Sequence, residues 1–220
     1  EEVQVETISF MIDRAPEMWR MFREHAYLVG IAVGIALATG IPIGVFITFN
    51  KKAAETVLYI AGIIITIPSV ALFGLMIPIL AVFNMGIGMV PAVIALVLYC
   101  QLPIIRNTYS AIKNIDPAMV DAGRGMGMTR TQIMVKVQLP LALGVIFAGV
   151  RVAVVMSIGI AAIAAYIGAG GLGNYIFRGI ATTYDEMLFA GAIAVSVMAI
   201  VADVVFGWIE KALMSKGLST

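Results

Sequence analysis

Charge is the first thing this sequence lacks. Its 220 residues hold 14 Lys and Arg and 13 Asp and Glu, 12% of the chain, where a soluble domain carries roughly 25%. With 61% hydrophobic residues and a mean hydropathy of +1.03, no surface fit for water can be assembled, and the bilayer is the expected solvent. The net charge is +1 and no basic run occurs, so nothing suggests nucleic acid as a partner. The single cysteine, Cys100, excludes an internal disulfide. One histidine, His25, and no His/Cys/Asp/Glu cluster argue against a metal site. No nucleophile–base set is visible, so a catalytic chain is not expected. The chain begins at Glu1 and shows no signal peptide.

What it has in quantity is apolar runs. A spanning helix needs about 20 such residues, and five candidates fit: residues 27–49, 57–83 (with Pro68 and Pro78), 89–105 (with Pro91 and Pro103), 141–167 and 187–209. The prolines of the second run predict a kink, which membrane helices tolerate when neighbours satisfy the freed backbone groups. Gly30 with Gly34, and Gly40 with Gly44, have the spacing that lets helix backbones approach closely. Lys and Arg set the orientation. With the N-terminus outside, Lys51, Lys52, Arg106, Lys113, Arg124, Arg130, Lys136, Lys211 and Lys216 lie inside, leaving Arg14, Arg20, Arg23 and Arg178 outside. Before the first run, Ile8, Met11, Ile12, Ala15, Met18, Trp19 and Phe22 form one stripe. It predicts an amphipathic helix, either on the outer membrane surface or against another subunit.

Two charges interrupt the last two runs, Arg151 and Asp203. Each costs roughly 2.5–3.5 kcal/mol at a bilayer centre. Arg151 lies about 15 Å along its helix from Pro140, and Asp203 roughly 10 Å from the inner end of its own. An ion pair between them is one expectation; separate polar surroundings for each is the other.

The polar stretch between the third and fourth runs is organised. Asp116-Pro117 reads as an N-cap followed by proline at the first helical position. Thr129 with Gln132 has capping-box spacing. Gly123, Gly125 and Gly127 between them allow a sharp turn. Two short helices with a glycine joint follow, and Pro140 then starts the fourth span. Met119, Met126 and Met128 make the stretch too apolar for a solvated linker and suit it to protein contacts. A second glycine cluster, Gly168, Gly170, Gly171 and Gly173, satisfies G-x-G-x-x-G. That pattern holds a dinucleotide only between a strand and a helix. Here it follows a membrane helix and reads as a tight external loop.

Asp121-Ala122-Gly123, three residues, Gly127, nine residues, then Val137-Gln138-Leu139-Pro140 resembles the "EAA" loop of ABC importer membrane subunits. That loop reads Glu-Ala-Ala, three residues, Gly, nine residues, Ile-x-Leu-Pro. The spacing matches fully; Asp121, Gly123 and Val137 depart from it in identity. The stretches 65–74 ("ITIPSVALFG") and 167–180 ("IGAGGLGNYIFRGI") are similar to permeases for glycine betaine, choline and carnitine. The resemblance implies an all-α polytopic fold of about five spans, N-out and C-in, like type I ABC importer permeases. Residues 1–26 would be an extracellular or interfacial segment, and residues 27–220 one permease domain with a cytoplasmic coupling loop at 106–140. It further implies cytoplasmic ATPase subunits carrying ATP and magnesium, an extracellular or periplasmic solute-binding protein, and a second or homologous permease. The setting would be a bacterial or archaeal cell membrane. No G-x-x-x-x-G-K-[ST] occurs in the chain, so no cofactor is expected here and ATP belongs to a partner. Pro68 and Ser69 are candidates to line the path. An amino-acid permease, for methionine for example, shares this loop. An ion-coupled carrier or channel would place more ionisable groups inside the membrane.

Overall fold

In a computed structural model, backbone is described for residues 2–214 and side chains for residues 6–214; Lys216 lies outside them. The described residues form α1 (Glu2–Asp13), α2 (Ala15–Phe46), α3 (Lys51–Thr66), α4 (Ser69–Ala81), α5 (Met89–Lys113), α6 (Pro117–Gly125), α7 (Arg130–Ile133), α8 (Leu139–Ala164), α9 (Gly173–Thr182) and α10 (Asp185–Met214). The central helix is α5. Helices α2, α3, α4 and α8 pack against it, and α10 packs on α8 and α9. The core between α2, α5 and α8 is built from small and branched residues: Ala32 and Ala36, Ala95 and Ile104, Ala153 and Ile158. Of the glycine pairs, Gly40 and Gly44 face α5. Cβ atoms there would meet Ile104 at 2.8 Å and Thr108 at 2.6 Å. Gly30 and Gly34 have nothing within 4 Å.

Several elements differ from expectation, each for a local reason. The helix that carries the first apolar run does not begin near Tyr27. Helix α2 runs unbroken from Ala15, and the break falls at Arg14, because Pro16 is tolerated only in a helix's first turn. The stripe of the first segment splits. Of its members Met18 is buried, beside Phe10 and Met21 from outside the stripe, against Leu172, Tyr175 and Ala190, while Ile8, Ile12 and Trp19 remain exposed. The second span is broken outright: α3 and α4 meet at 100° across Ile67-Pro68. Tyr99 on α5 donates its hydroxyl to the Ile67 carbonyl at that joint, satisfying an acceptor the break leaves free. The pair still crosses the bundle. Ile47, just before α3, packs on Ile105 near the end of α5. At the other face Gly88, just past α4, donates its N–H to the Ile167 carbonyl at 2.8 Å.

Third, α5 extends past Ile105 to Lys113. Fourth, Pro140 lies in the first turn of α8 as expected, but the chain does not break before it. From Arg130 to Ile167 the chain is one helical rod, with a π turn at Met134–Gln138 where the Leu139 N–H reaches back to the Met134 carbonyl. A proline cannot donate to the carbonyl four residues before it and crowds it; the widened turn relieves that clash. Helix α9 follows the glycine loop, in a stretch to which the sequence reading assigns no element. Its first residue is Gly173, whose missing Cβ lets the backbone lie on the Ala162 carbonyl.

Candidate coupling site

The stretch from Asp116 to Pro140 is a helical hairpin at the face where α5 ends. Asp116 caps α6 through its carboxylate, which accepts the Ala118 N–H at 2.9 Å. Thr129 and Gln132 close a reciprocal capping box, the Gln132 side chain accepting the Thr129 N–H at 2.8 Å and Thr129 accepting the Gln132 N–H at 3.3 Å. Between them the chain leaves α6 by a Schellman turn. The Gly127 N–H bonds the Arg124 carbonyl at 2.9 Å and the Met128 N–H bonds the Gly123 carbonyl at 3.1 Å. That motif needs a left-handed residue, and Gly127 supplies it at φ +76°. The three glycines therefore differ in kind. Gly125 sits within α6, and Gly123 is buried where α6 meets α7, with Ile133 and Met128 over the place of its Cβ.

The tip is amphiphilic. Asp121 and Ala122 are exposed, and Asp121 is occupied locally by the Arg124 guanidinium at 2.9 Å. Beside them Met119, Met126 and Val135 leave 46%, 73% and 55% of their surface open. Val137 and Leu139 are half-buried, and Pro140 is exposed. Leu139 packs under Ala111, Ile112 and Ile146, which seats the hairpin on α5 and α8. A cavity of about 380 Å³ lies between Thr48, Lys113, Val120, Arg124 and Gln138. The hairpin is thus rigid at both cap positions and fused to the α8 rod.

At the opposite face, Gly168, Gly170 and Gly171 take φ values of +80°, +82° and +83°. This loop is pinned to α2. The Glu24 carboxylate accepts the Gly171 N–H at 3.3 Å, and His25 places Nε2 3.0 Å from the Ile158 carbonyl. Neither contact carries a local sequence signal. The buried Tyr175 hydroxyl beyond the loop is pushed up to about 12, by desolvation first and the Glu17 carboxylate second.

Arg151 and Asp203 meet in a two-pronged ion pair, Nε to Oδ1 at 2.6 Å and Nη2 to Oδ2 at 2.7 Å. Glu210 joins it at 3.1 Å from Nη1. Sequence reading missed Glu210; the signal was its seven-residue spacing from Asp203, which puts both on one helix face. The pair is half-exposed in the isolated chain, with 35% and 43% of the two side chains open. Pro68 and Ser69 sit at the α3–α4 joint, Pro68 as the residue that precedes α4 and Ser69 as its first.

Among the described residues, four long apolar helices and a broken fifth, with a capped hairpin on one face, define a multi-pass membrane protein. The model of the binding-protein-dependent transport system inner membrane component matches residues 40–215, and the chain belongs to that family, the permease subunits of ABC transporters. It is 46% identical over 214 residues, 97% of its length, to the osmoprotectant import permease protein OsmW of Salmonella typhimurium, which it covers completely. It is 46% identical over 198 residues to the carnitine transport permease protein OpuCD of Listeria monocytogenes, covering 90% of this chain and 85% of that one. A solved inward-facing structure of the MetNI methionine ABC transporter superposes with a TM-score of 0.80 at 25% identity, over 90% of this chain and 98% of that one.

Proposed function

We propose that the chain is the translocating subunit of an ATP-driven importer for a small osmoprotectant such as glycine betaine, choline or carnitine. The observation that carries this reading is the hairpin 116–140, capped at both helix starts and fused to α8, in a chain whose full-length relative is an osmoprotectant permease. The hairpin docks on a cytoplasmic ATPase. That partner holds ATP and magnesium; this chain contributes no catalytic group and binds no cofactor. Two permeases, identical or homologous, enclose the path, and a binding protein delivers solute to the glycine-loop face. The ATPases close on ATP, the hairpins move with them, and the α8 rods carry the motion across the bilayer to give alternating access. Pro68 and Ser69, at the broken span, line the path. The membrane is the bacterial inner membrane, with the N-terminus outside.

The orientation makes a prediction. With Cys100 replaced, a cysteine at Lys113 resists impermeant thiol reagents in intact cells and one at Asp185 reacts. Labelling of position 113 from outside contradicts the orientation. The cargo is tested by uptake into proteoliposomes holding the reconstituted complex and internal ATP. Labelled glycine betaine accumulates and methionine does not compete; uptake of methionine alone would move the chain to the amino-acid importers.

A further inference from the structure

Helix α10 is held differently from the other spans. In its most apolar stretch 11% of residues are buried, against 50% in α5 and in the α8 rod. Val195, Met198, Ala199 and Ala202 lie against the core that α8 helps to build, and beside them stand the Phe147–Phe206 ring stack, with centroids 5.8 Å apart, and the polar cluster around it. Between helices in lipid there is no hydrophobic driving force, and apolar faces are held by van der Waals packing. A guanidinium fork on a carboxylate adds a directional contact, because its two parallel bonds form in one geometry. Here the fork is on Asp203 and the remaining nitrogen is on Glu210. The two carboxylates start about 10 Å apart along the α10 axis and converge on one side chain of α8. Gly207, between them, has no Cβ, and one built there would stand 3.2 Å from the guanidinium. Sliding α10 along α8 breaks all three bonds together.

We propose that Arg151, Asp203 and Glu210 form a clasp that locks the axial register of α10 to α8, making Arg151 a positioning residue for coupling; this rests on the importer reading above. The α8 rod begins at the hairpin, so whatever displaces the hairpin displaces Arg151. The clasp passes that displacement to α10, and α10 passes it to α9 and the glycine-loop face, on which it packs. Without the clasp, the hairpin still docks and ATP is still hydrolysed, but α10 lags.

The test uses the reconstituted complex with its ATPase and binding protein, comparing the wild type with Arg151→Gln, Arg151→Lys and Glu210→Gln. The readout is solute transported per ATP hydrolysed. Arg151→Gln lowers this ratio by about 5-fold or more, the range of an ordinary coupling free energy. Arg151→Lys, which keeps the charge and loses the fork, loses less, and Glu210→Gln least. A purely structural role lowers uptake and hydrolysis together and leaves the ratio unchanged, which overturns the proposal. If Arg151→Gln does not insert, the lysine and Glu210 variants carry the same comparison.

An independent measurement places cysteines at Phe147 and Phe206 in a Cys100→Ala background and cross-links them with a short bis-maleimide. With the clasp intact the yield is the same with and without ATP turnover; with Arg151→Lys it becomes turnover-dependent. A yield that varies equally in both backgrounds refutes a locked register. A wild-type complex with no solute-stimulated hydrolysis at all refutes the importer reading instead.

Discussion

Gly127→Val is expected to abolish most transport while leaving the bundle inserted. Gly127 stands at φ +76° with nothing within 4 Å of a built Cβ, so the substitution meets no clash with neighbours. The cost is in the backbone alone. A left-handed conformation costs an ordinary L-residue roughly 1–2 kcal/mol, and a β-branched side chain makes it a clear outlier. The Schellman turn reopens, and α6 loses its fixed angle to α7. A shift of one or two kcal/mol changes a two-state ratio by about 5–30-fold, and that is the expected loss in solute-stimulated ATP hydrolysis. Gly127→Asn, which tolerates the left-handed region, retains most activity. Membrane-inserted protein, measured by detergent-extracted yield, stays at the wild-type level in both. Full activity in Gly127→Val at normal expression refutes the rigid-joint account.

Gly173→Val is expected to act on stability instead. A Cβ at Gly173 would fall against the Ala162 carbonyl, which belongs to α8 and cannot swing aside. Helix α9 has to lift from α8. With it go the contacts of Tyr175 with Phe10 and Gly191, and of Gly179 with the Leu188 backbone. Overpacking a filled site costs typically 1–3 kcal/mol, and backbone against backbone belongs at the upper end. The purified variant should unfold at clearly lower temperature in detergent, while Gly34→Val, at a position with open space around it, stays near the wild type. Equal melting of the two would show that the α8–α9 contact is not tight.

These two glycines also show which parts of the molecule were legible in the sequence. Gly127 was, because the hairpin is local: cap, box and turn lie within a few residues and each has a residue-type signature. The spans were legible from composition, and the meeting of Arg151 with Asp203 was one of the two arrangements that their depth along adjacent antiparallel helices left open. Gly173 was not. Its neighbour is a backbone carbonyl, which leaves no mark in a side-chain pattern. Glu24 and His25 reach partners 147 and 133 residues away, and no periodicity links them. Pro68 announced a kink but neither its 100° angle nor the hydroxyl of Tyr99 that meets the Ile67 carbonyl from another helix. The start of the helix that carries the first apolar run was not legible for the opposite reason. Apolar content rises near Tyr27, yet nothing there breaks a helix, and Pro16 does.

The most direct measurement is ATP hydrolysis by the ATPase partner in proteoliposomes, with this chain present and with binding protein supplied empty or loaded with glycine betaine. Loaded binding protein should raise the rate several-fold over empty, as expected for a coupling free energy of about 1–3 kcal/mol. The increase should disappear with Gly127→Val. A rate indifferent to glycine betaine, or a stimulation that survives Gly127→Val in full, contradicts the account of a hairpin that couples ATP hydrolysis to osmoprotectant import.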